Sequence, residues 1–375
     1  MTMRHLMLGL LLATAVPAMA QAKPVAVEEV SIADLQAMMT AGKTTSVEIV
    51  KAYLARIAAM DRRGPTLRAV IAINPDVLAQ AKALDAERKA GRLRGPLHGV
   101  PIMIKDNIET ADAMATTAGS LALKDNVTRR DAPVVAALRA KGAVILGKTN
   151  LSEWANIRST QSMSGWSAIG GLVKNPYALD RTACGSSSGS GAAVAASFAA
   201  AALGTETDGS VVCPSSLNGL VGLKPSIGLV SRTHVVPISH SQDTPGPMAR
   251  SVRDVATLFS AMIAADPADP VTSGAVARDY AAGLSTSALS GMRVGVVRPN
   301  AMSAPLAARF AAALAVLKAA GAVLVEVTPP KLDGLGDAEF MVLKTELKAD
   351  LNAYLATTPA AVKTRTLADV IAFDT

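Results

Sequence analysis

The chain has 375 residues, of which 50% are hydrophobic, so it is long enough to bury a sizeable core and too apolar to be intrinsically disordered. Aromatic residues make up only 3% of it, and alanine must therefore fill much of the packing. The formal net charge is +7, but the lysines and arginines are dispersed and no basic run is interleaved with aromatic residues, which argues against a nucleic-acid partner.

Residues 1–20 have the pattern of a secretory signal peptide. The start is positive at Arg4, residues 6–16 are almost wholly apolar, and a small-x-small pattern ends at Ala20. The apolar run is too short to span a bilayer, which needs about 20 residues. We therefore expect cleavage after Ala20, export to the periplasm or secretion, no stable membrane insertion, and a mature domain of residues 21–375.

Residues typical of helix ends predict three helices at the start of the mature chain. Ser31 opens the first, which ends near Gly42, and Thr45 opens the second with a glutamate three residues on, the capping-box pattern. Asn74-Pro-Asp opens the third, which runs toward Gly91. An N-cap serine or threonine accepts a hydrogen bond from a free backbone amide, and glycine ends a helix without steric cost.

Strands are predicted after these helices. Residues 99–104 and 143–146 are short apolar runs, and residues 131–142 between them predict a capped helix closed by glycine. Residues 142–149 match the phosphate-loop pattern Gly-x4-Gly-Lys-Thr, but the four intervening residues are themselves a strand rather than a loop with free amides. We assign no nucleotide and no other cofactor.

The C-terminal third has a βαβ order, because residues 292–297 and 322–327 predict strands on either side of an Ala-rich helical pattern at residues 305–320. With the earlier helices and strands, this order predicts the α/β fold class. The chain contains no internal repeat and no convincing linker, so we expect one large domain.

Three separated segments carry residues suited to hydrolysis. Lys105 follows a strand-like run, Ser186 lies in the Gly/Ser run 184–191, and Ser210 ends the segment 204–210. A serine hydroxyl needs a base to attack near neutral pH, and none of the four histidines lies in a setting that suggests a triad. A lysine kept neutral by burial can serve instead, so Lys105 is the better candidate base.

Together these segments resemble the amidase signature family. The resemblance implies that Lys105 takes a proton from a bridging Ser186, and that Ser186 takes one from the nucleophile Ser210. The two serines lie 24 positions apart, which is the spacing that the family uses. The resemblance covers nearly all of the mature chain, including residues 115–120, 221–225 and 243–248, and implies a mixed sheet sandwiched between helices.

The nucleophile segment is most similar to the peptide amidase branch, whose members remove the C-terminal amide of peptides. The family commonly has Gly-Thr-Asp-x-Gly-Gly-Ser there, whereas this chain has Glu206 and Asp208. Family members also run well past this length, and residues 367–373 resemble the middle of a domain, so we expect the C-terminal part of the domain to be missing. A sheet left incomplete in this way is expected to make the chain poorly soluble or weakly active.

The stretch between the serines explains their spacing. Residues 191–203 are Ala-rich and predict a helix that starts in the serine loop and is ended by Gly204. A tight turn at a glycine follows, and its backbone amides can converge on the oxygen of an attacked carbonyl. The predicted oxyanion hole consists of the amides of Thr207, Asp208, Gly209 and Ser210.

Two other interpretations of the Gly/Ser run stay open. A run of this composition is often a flexible linker, although here an Ala-rich helix is predicted to follow it. Its Gly-x-Ser-x-Gly pattern also fits the nucleophile elbow of α/β-hydrolases, with Ser187 as the nucleophile. The elbow needs a hydrophobic strand before it, and residues 175–184 are turn-rich and polar, which disfavours Ser187.

The two cysteines, Cys184 and Cys213, flank the serine segments, and two states are open for them. Export would allow them to form a disulfide, whereas small apolar neighbours favour packed free thiols, which is the interpretation that the sequence favours. With so few histidines and no cysteine or histidine pair at ligand spacing, we expect no metal site.

The sequence therefore predicts an exported amide hydrolase that acts on a small-molecule or peptide amide. Two other functions stay open: an amidotransferase-type subunit, which shares the signature but works with partner proteins in the cytoplasm, and a truncated, non-catalytic remnant that acts as a binding protein. The signal-peptide pattern argues against the first of these. Side-chain specificity and oligomeric state do not follow from the sequence.

Overall fold

The computed structural model describes residues 25–299 and 301–374, so the signal-peptide prediction at residues 1–20 lies outside the described residues. The helices of the described residues, α1 to α10 in chain order, are Ile32–Thr40, Ser46–Met60, Val77–Lys89, Pro133–Ala140, Ser188–Ala195, Val212–Leu217, Val252–Met262, Ala304–Ala319, Leu335–Ala356 and Leu367–Phe373. The strands, β1 to β12, are Val70–Ile73, Pro101–Lys105, Val144–Thr149, Trp166–Ser167, Gly171–Leu172, Lys174–Asn175, Ala178–Thr182, Ala201–Glu206, Val221–Gly222, Thr244–Ala249, Arg293–Val296 and Val323–Glu326.

The three predicted N-terminal helices are confirmed. Ser31 Oγ accepts the Asp34 amide at 3.0 Å at the start of α1. Thr45 and Glu48 form the predicted capping box of α2, in which each side chain accepts the other residue's backbone amide, at 3.2 and 2.9 Å. Helix α3 also begins where predicted, after Asp76, without a side-chain cap. Capping contacts of this kind satisfy amides that a helix leaves free, which is why a short sequence pattern predicts them.

A six-stranded mixed sheet forms the centre of the fold, in the order β1-β3-β2-β8-β10-β9. Strand β2 runs parallel to both β3 and β8, whereas β1, β10 and β9 run antiparallel to their neighbours. Every residue of β2, β3, β8 and β10 is buried, and helices flank the sheet, among them α2, α3, α5 and α7. This confirms the predicted α/β class with a mixed sheet between helices.

The Ala-rich stretch between the serine segments is not the single helix that the sequence predicts. Helix α5 ends at Ala195, and the chain enters β8 at Ala201. Ser197 turns the chain with a left-handed backbone (φ 54°), and the fully buried Phe198 anchors this turn in the core. Strand β8 bonds to β2 on one side and to β10 on the other, so tertiary pairing outweighs the helix propensity of alanine.

Gly204 therefore does not end a helix, and its role differs from the predicted one. It lies inside β8, where a Cβ would stand 2.6 Å from Ser187 Oγ and 3.0 Å from Met248 Sδ. Ser187 is the residue before α5, so a side chain at position 204 would push the serine loop off the strand. Glycine is needed here because the Ser187 and Met248 side chains pack directly against the backbone of β8.

We expect Gly204→Ala to lower the free energy of unfolding by about 1–3 kcal/mol, because the added methyl group overpacks a buried contact. Urea unfolding measures the change. Gly274→Ala is the matched control, since a Cβ there meets nothing within 4 Å and the backbone is not left-handed. A Gly204→Ala protein as stable as the control would contradict the close-approach role.

The predicted βαβ order of the C-terminal third is confirmed. Strands β11 and β12 pair in parallel on either side of α8 in the chain, and they form a two-stranded sheet apart from the central one. Helices α9 and α10 contribute Tyr354 and Val370 to a second apolar cluster that also contains Trp154. Among the described residues, no helix is both long enough and apolar enough to span a membrane.

Candidate active site

Lys105 and Ser186 meet at the edge of the sheet where the parallel strands β2 and β8 end. Lys105 is the last residue of β2, and β8 ends beside it with Thr205 and Glu206. The loop before α5 brings Ser186 to the same edge, where its Oγ lies 2.7 Å from Lys105 Nζ. Lys105 is 0% exposed and Ser186 is 1% exposed. The two side chains are thus in direct contact and shielded from solvent.

Burial lowers the pKa of Lys105 to about 7. The negative charges of Asp243 and Glu206 act in the other direction and raise this pKa, but burial outweighs them. Thr205 provides two more contacts, since its Oγ1 lies 2.8 Å and its carbonyl oxygen 3.3 Å from Lys105 Nζ. A neutral amine has two N–H donors and one lone pair, which matches the two Thr205 acceptors and the Ser186 hydroxyl. Lys105 is therefore arranged to accept a proton from Ser186 near neutral pH.

Ser210 stands next to Ser186 and opens onto a cavity. The Ser186 amide donates to Ser210 Oγ at 3.2 Å, and the Ser187 amide donates to the Ser210 carbonyl oxygen at 3.2 Å. Ser210 is half-buried and lines a cleft of about 390 Å³, whereas Ser186 is buried. The structure brings Lys105, Ser186 and Ser210 together, with Ser210 at the cleft.

Ser187, the nucleophile of the elbow interpretation, is not placed to attack a substrate. Its side chain is buried, and its hydroxyl donates to the Thr205 carbonyl oxygen at 3.1 Å and accepts the Thr205 amide at 3.2 Å. The preceding strand β7 is mostly exposed rather than hydrophobic. Ser187 therefore ties the loop to β8. The linker interpretation is wrong, because the run leads directly into the fully buried helix α5.

Glu206 shapes the turn that carries Ser210. Its carboxylate accepts the amides of Gly209 at 3.0 Å, Val211 at 2.7 Å and Val212 at 2.9 Å. In the sequence, Glu206 stands out only as a departure from the common family pattern, and its role in the turn was missed. An acidic residue just before a glycine-containing turn was the available signal.

The Gly209 amide is not free to bind an oxyanion, which corrects one member of the predicted oxyanion hole. Gly209 has the left-handed backbone expected of a tight turn (φ 76°), but its N–H already donates to Glu206. In the part of the chain that the structure describes, the amides of Thr207, Asp208 and Ser210 have no protein acceptor. All three residues line the cleft, so their amides form the remaining candidate oxyanion hole.

Asp243, which the sequence did not assign to the site, holds the other side of the turn. It is 8% exposed, and its carboxylate accepts the Thr207 hydroxyl at 2.5 Å and the amides of Ile238 and Ser239 at 2.7 and 2.9 Å. Burial raises the pKa of Asp243, and these three hydrogen bonds oppose that increase. The residue opens the family-like stretch 243–248, which was the signal in the sequence.

Cys184 and Cys213 form a disulfide, so the free-thiol interpretation is wrong. Their Cα atoms lie 5.8 Å apart, which is within the range that a disulfide spans. The bridge ties the serine loop to α6, which begins just after Ser210, and both cysteines line the cleft. It thereby holds the Ser186 and Ser210 segments together beside the cavity.

A second cavity of about 460 Å³ adjoins the cleft. Ala155, Thr207 and Ile238 line both spaces. Arg232 and Asp350 are among the charged residues of the second cavity, alongside apolar residues. A substrate whose carbonyl lies at Ser210 therefore has room to extend beyond a simple carboxamide.

One group of side chains in the described residues has the composition of a metal site, but its geometry favours ion pairs. His240 lies between Glu346 and Asp350 of α9. Its Nδ1 is 2.9 Å from Asp350 Oδ2, and its Nε2 is 3.4 Å from Glu346 Oε1, so the two ring nitrogens face different carboxylates. The ring thus pairs directly with both carboxylates, and we assign no metal to this group.

Most of the chain is similar to one family of proteins. The Amidase family model matches residues 48–373. A protein named Probable amidase from Arabidopsis thaliana is 43% identical over 361 residues, which are 93% of this chain and 68% of that protein. A glutamyl-tRNA(Gln) amidotransferase subunit from Symbiobacterium thermophilum is 42% identical over 328 residues, which are 86% of this chain and 65% of that protein.

Solved structures agree with this family. Native peptide amidase from Stenotrophomonas maltophilia is 52% identical with a TM-score of 0.89, and the match covers 92% of this chain and 71% of that chain. The chain spans between about half and two thirds of the length of its curated relatives. It covers 50% of one from Arthroderma benhamiae, to which it is 48% identical over 301 residues.

Proposed function

The chain belongs to the amidase family, and we propose that it is an amide hydrolase in which Lys105, Ser186 and Ser210 form the catalytic relay. The observation that carries this proposal is the 2.7 Å contact between the buried Lys105 amine and the Ser186 hydroxyl, beside Ser210. A serine nucleophile needs a base within hydrogen-bond reach, and a neutral lysine acting through a second serine supplies one.

In the proposed mechanism, neutral Lys105 takes the Ser186 proton while Ser186 takes the Ser210 proton, and the Ser210 oxygen bonds to the amide carbonyl carbon. The carbonyl oxygen becomes negative and accepts hydrogen bonds from the amides of Thr207, Asp208 and Ser210. Protonated Lys105 then returns its proton through Ser186 to the leaving nitrogen. The C–N bond breaks, and an ester to Ser210 remains.

Hydrolysis of this ester uses the same residues. A water molecule gives a proton through Ser186 to Lys105 while its oxygen bonds to the acyl carbon. When the C–O bond to Ser210 breaks, the proton returns through Ser186 to the Ser210 oxygen. The acid leaves, and the relay is restored with Lys105 neutral.

The proposed substrates are C-terminal amides of peptides, or related carboxamides, from which ammonia is released. Two observations support this class. The first is the likeness to a peptide amidase over most of this chain. The second is the space at Ser210, where a cleft of about 390 Å³ continues into a cavity of about 460 Å³ and leaves room for peptide atoms on the acyl side.

An amidotransferase-type subunit is the second candidate, favoured by the likeness to the Symbiobacterium thermophilum protein, which is part of a glutamyl-tRNA(Gln) amidotransferase. A binding protein without catalysis is the third, and the close contact of the relay residues disfavours it. The candidates differ in the amide that they accept, since a peptide amidase takes a peptide's terminal carboxamide whereas an amidotransferase draws its nitrogen from an amide donor such as glutamine.

A panel of amides separates these candidates. Ammonia release from a peptide amide, an amino-acid amide and glutamine is measured with purified protein, and Ser210→Ala protein serves as the blank. We expect release from the peptide amide. Release from glutamine alone would favour the amidotransferase-type function. No release from any amide, together with no labelling of Ser210 by a fluorophosphonate, would favour the binding protein.

We also propose that the chain is exported. Support comes from the signal-peptide pattern of residues 1–20 and from the bridge between Cys184 and Cys213, because disulfides persist in oxidising compartments. Expression of the full chain, followed by intact-mass measurement of the exported fraction, tests this. The expected product begins at Gln21 and has no free thiol. Uncleaved protein with two free thiols, recovered only from the cytoplasm, would contradict export.

A further inference from the structure

Lys224 contacts the turn of Ser210 but does not line the cleft. Its Nζ donates to the Thr207 carbonyl oxygen at 2.5 Å. The lysine is half-buried and follows strand β9, and it is not among the residues that line the cleft with Thr207 and Asp208. The proposed mechanism gives Lys224 no part, although residues 221–225 are one of the family-like stretches.

The Thr207 carbonyl and the Asp208 amide belong to one peptide group. The described residues contain no cis peptide bond, and in a planar trans peptide the N–H points opposite to the C=O. The Asp208 N–H therefore points away from Lys224, and Asp208 lines the cleft whereas Lys224 does not. Within the part of the chain that the structure describes, this N–H has no protein acceptor, so it is free to bind an oxyanion.

An ammonium group on the carbonyl oxygen affects this peptide group in two ways. It holds the peptide plane in one orientation, and it draws electron density toward the oxygen, which makes the N–H a stronger donor. Thr207 is also held by its side chain, whose hydroxyl donates to Asp243. The peptide group is thus fixed before an oxyanion forms, which is the condition under which such donors accelerate a reaction most.

We propose that Lys224 is a positioning residue of the oxyanion hole, which aims and polarises the Asp208 amide without touching the substrate. The inference rests on the proposed function, because it assumes that Ser210 attacks in this cleft. Since Lys224 contacts neither the substrate space nor Lys105, it should affect the rate of the chemical step far more than the binding of substrate.

The test compares Lys224→Met, Lys224→Gln and Lys224→Arg with the unchanged protein in two rates: phosphonylation of Ser210 by a fluorophosphonate, and turnover of a peptide amide. Loss of an oxyanion donor lowers kcat by about 10²–10³, so loss of its support should lower both rates by about 10–100-fold, with KM changed less than about twofold. Lys224→Arg keeps the charge and should recover most of the rate. Lys224→Gln keeps only a neutral donor and should fall between.

Lys174→Met is the matched control. Lys174 is also half-buried, and its Nζ also donates to a backbone carbonyl, that of Pro65 at 3.3 Å, and to Thr66 Oγ1 at 2.8 Å, in a loop that does not line the cleft. We expect this variant to keep both rates. In every Lys224 variant, the fall of kcat/KM at low pH should keep its midpoint, because Lys105 sets that midpoint. A general loosening of the site would shift it.

Several results would overturn the inference. These are unchanged rates in Lys224→Met, a loss confined to KM, or an equal loss in Lys174→Met. If Lys224→Met does not fold, Lys224→Gln decides by the same criteria. If Ser210 is labelled but no peptide amide is hydrolysed, the substrate proposal fails. The role of Lys224 is then tested by the rates of Ser210 labelling alone. If Ser210 is not labelled in the unchanged protein, the proposed mechanism and this inference fail together.

Discussion

Replacing Ser210 by alanine is expected to lower kcat for amide hydrolysis by at least about a thousandfold, as loss of a catalytic nucleophile does. Ser210 is the member of the relay whose side chain reaches the cleft, and alanine leaves no oxygen there to bond to the carbonyl carbon. Labelling by a serine-directed fluorophosphonate should also end. Ammonia release and mass-spectrometric mapping of the labelled residue measure the two effects.

Ser187→Ala is the matched control, because it removes one hydroxyl from the neighbouring loop. Its hydroxyl bonds only to backbone atoms of Thr205, so we expect a loss of stability of about 1 kcal/mol with labelling retained at Ser210. If labelling survives in Ser210→Ala and disappears in Ser187→Ala, the nucleophile is Ser187 and the proposed relay is wrong.

Lys105→Met is expected to lower kcat/KM by about 10²–10⁴, the range typical of general-base catalysis, since methionine has a similar length and cannot accept a proton. In the unchanged protein, kcat/KM should rise with pH and level off above the Lys105 pKa of about 7. Below that pH it should fall about tenfold per pH unit, because only the neutral amine accepts the Ser186 proton. A pH series with a peptide amide measures this limb.

Lys148→Met is the control for a buried lysine that is not in the relay. Lys148 lies on β3, burial also lowers its pKa, and its Nζ donates to Thr116 Oγ1 at 2.9 Å. We expect the acid limb to stay near pH 7 in this variant, whatever its stability. An acid limb that moves with Lys148, or activity that a chelator removes and a metal restores, would contradict a lysine base at position 105.

Local patterns were enough to predict the capped helices α1 and α2, because their capping contacts join residues only three positions apart. They were also enough to select Lys105, Ser186 and Ser210, since each lies in a short motif and the three motifs match one family. What these residues do in catalysis stays a prediction, but their assembly at one edge of the sheet is observed.

The Ala-rich stretch shows where local pattern fails. Alanine favours a helix, and a helix over residues 191–203 is the locally consistent prediction. Residues 201–206 instead form a central strand, because β2 and β10 offer hydrogen bonds on both sides and come from distant parts of the chain. No feature of the stretch itself reports that these partners will be adjacent.

The hydrogen bonding of the turn that carries Ser210 was likewise decided by tertiary structure. The sequence determined which groups are present: a glycine that permits the turn, amides that can donate, two cysteines and several charged side chains. Only the fold determined how they pair. The sheet and its helices bring together Cys184 and Cys213, which are 29 positions apart, and Thr207 and Lys224, which are 17 positions apart. Each backbone amide has one proton to donate, so the pairing that folding selects also decides which amides are left for a substrate.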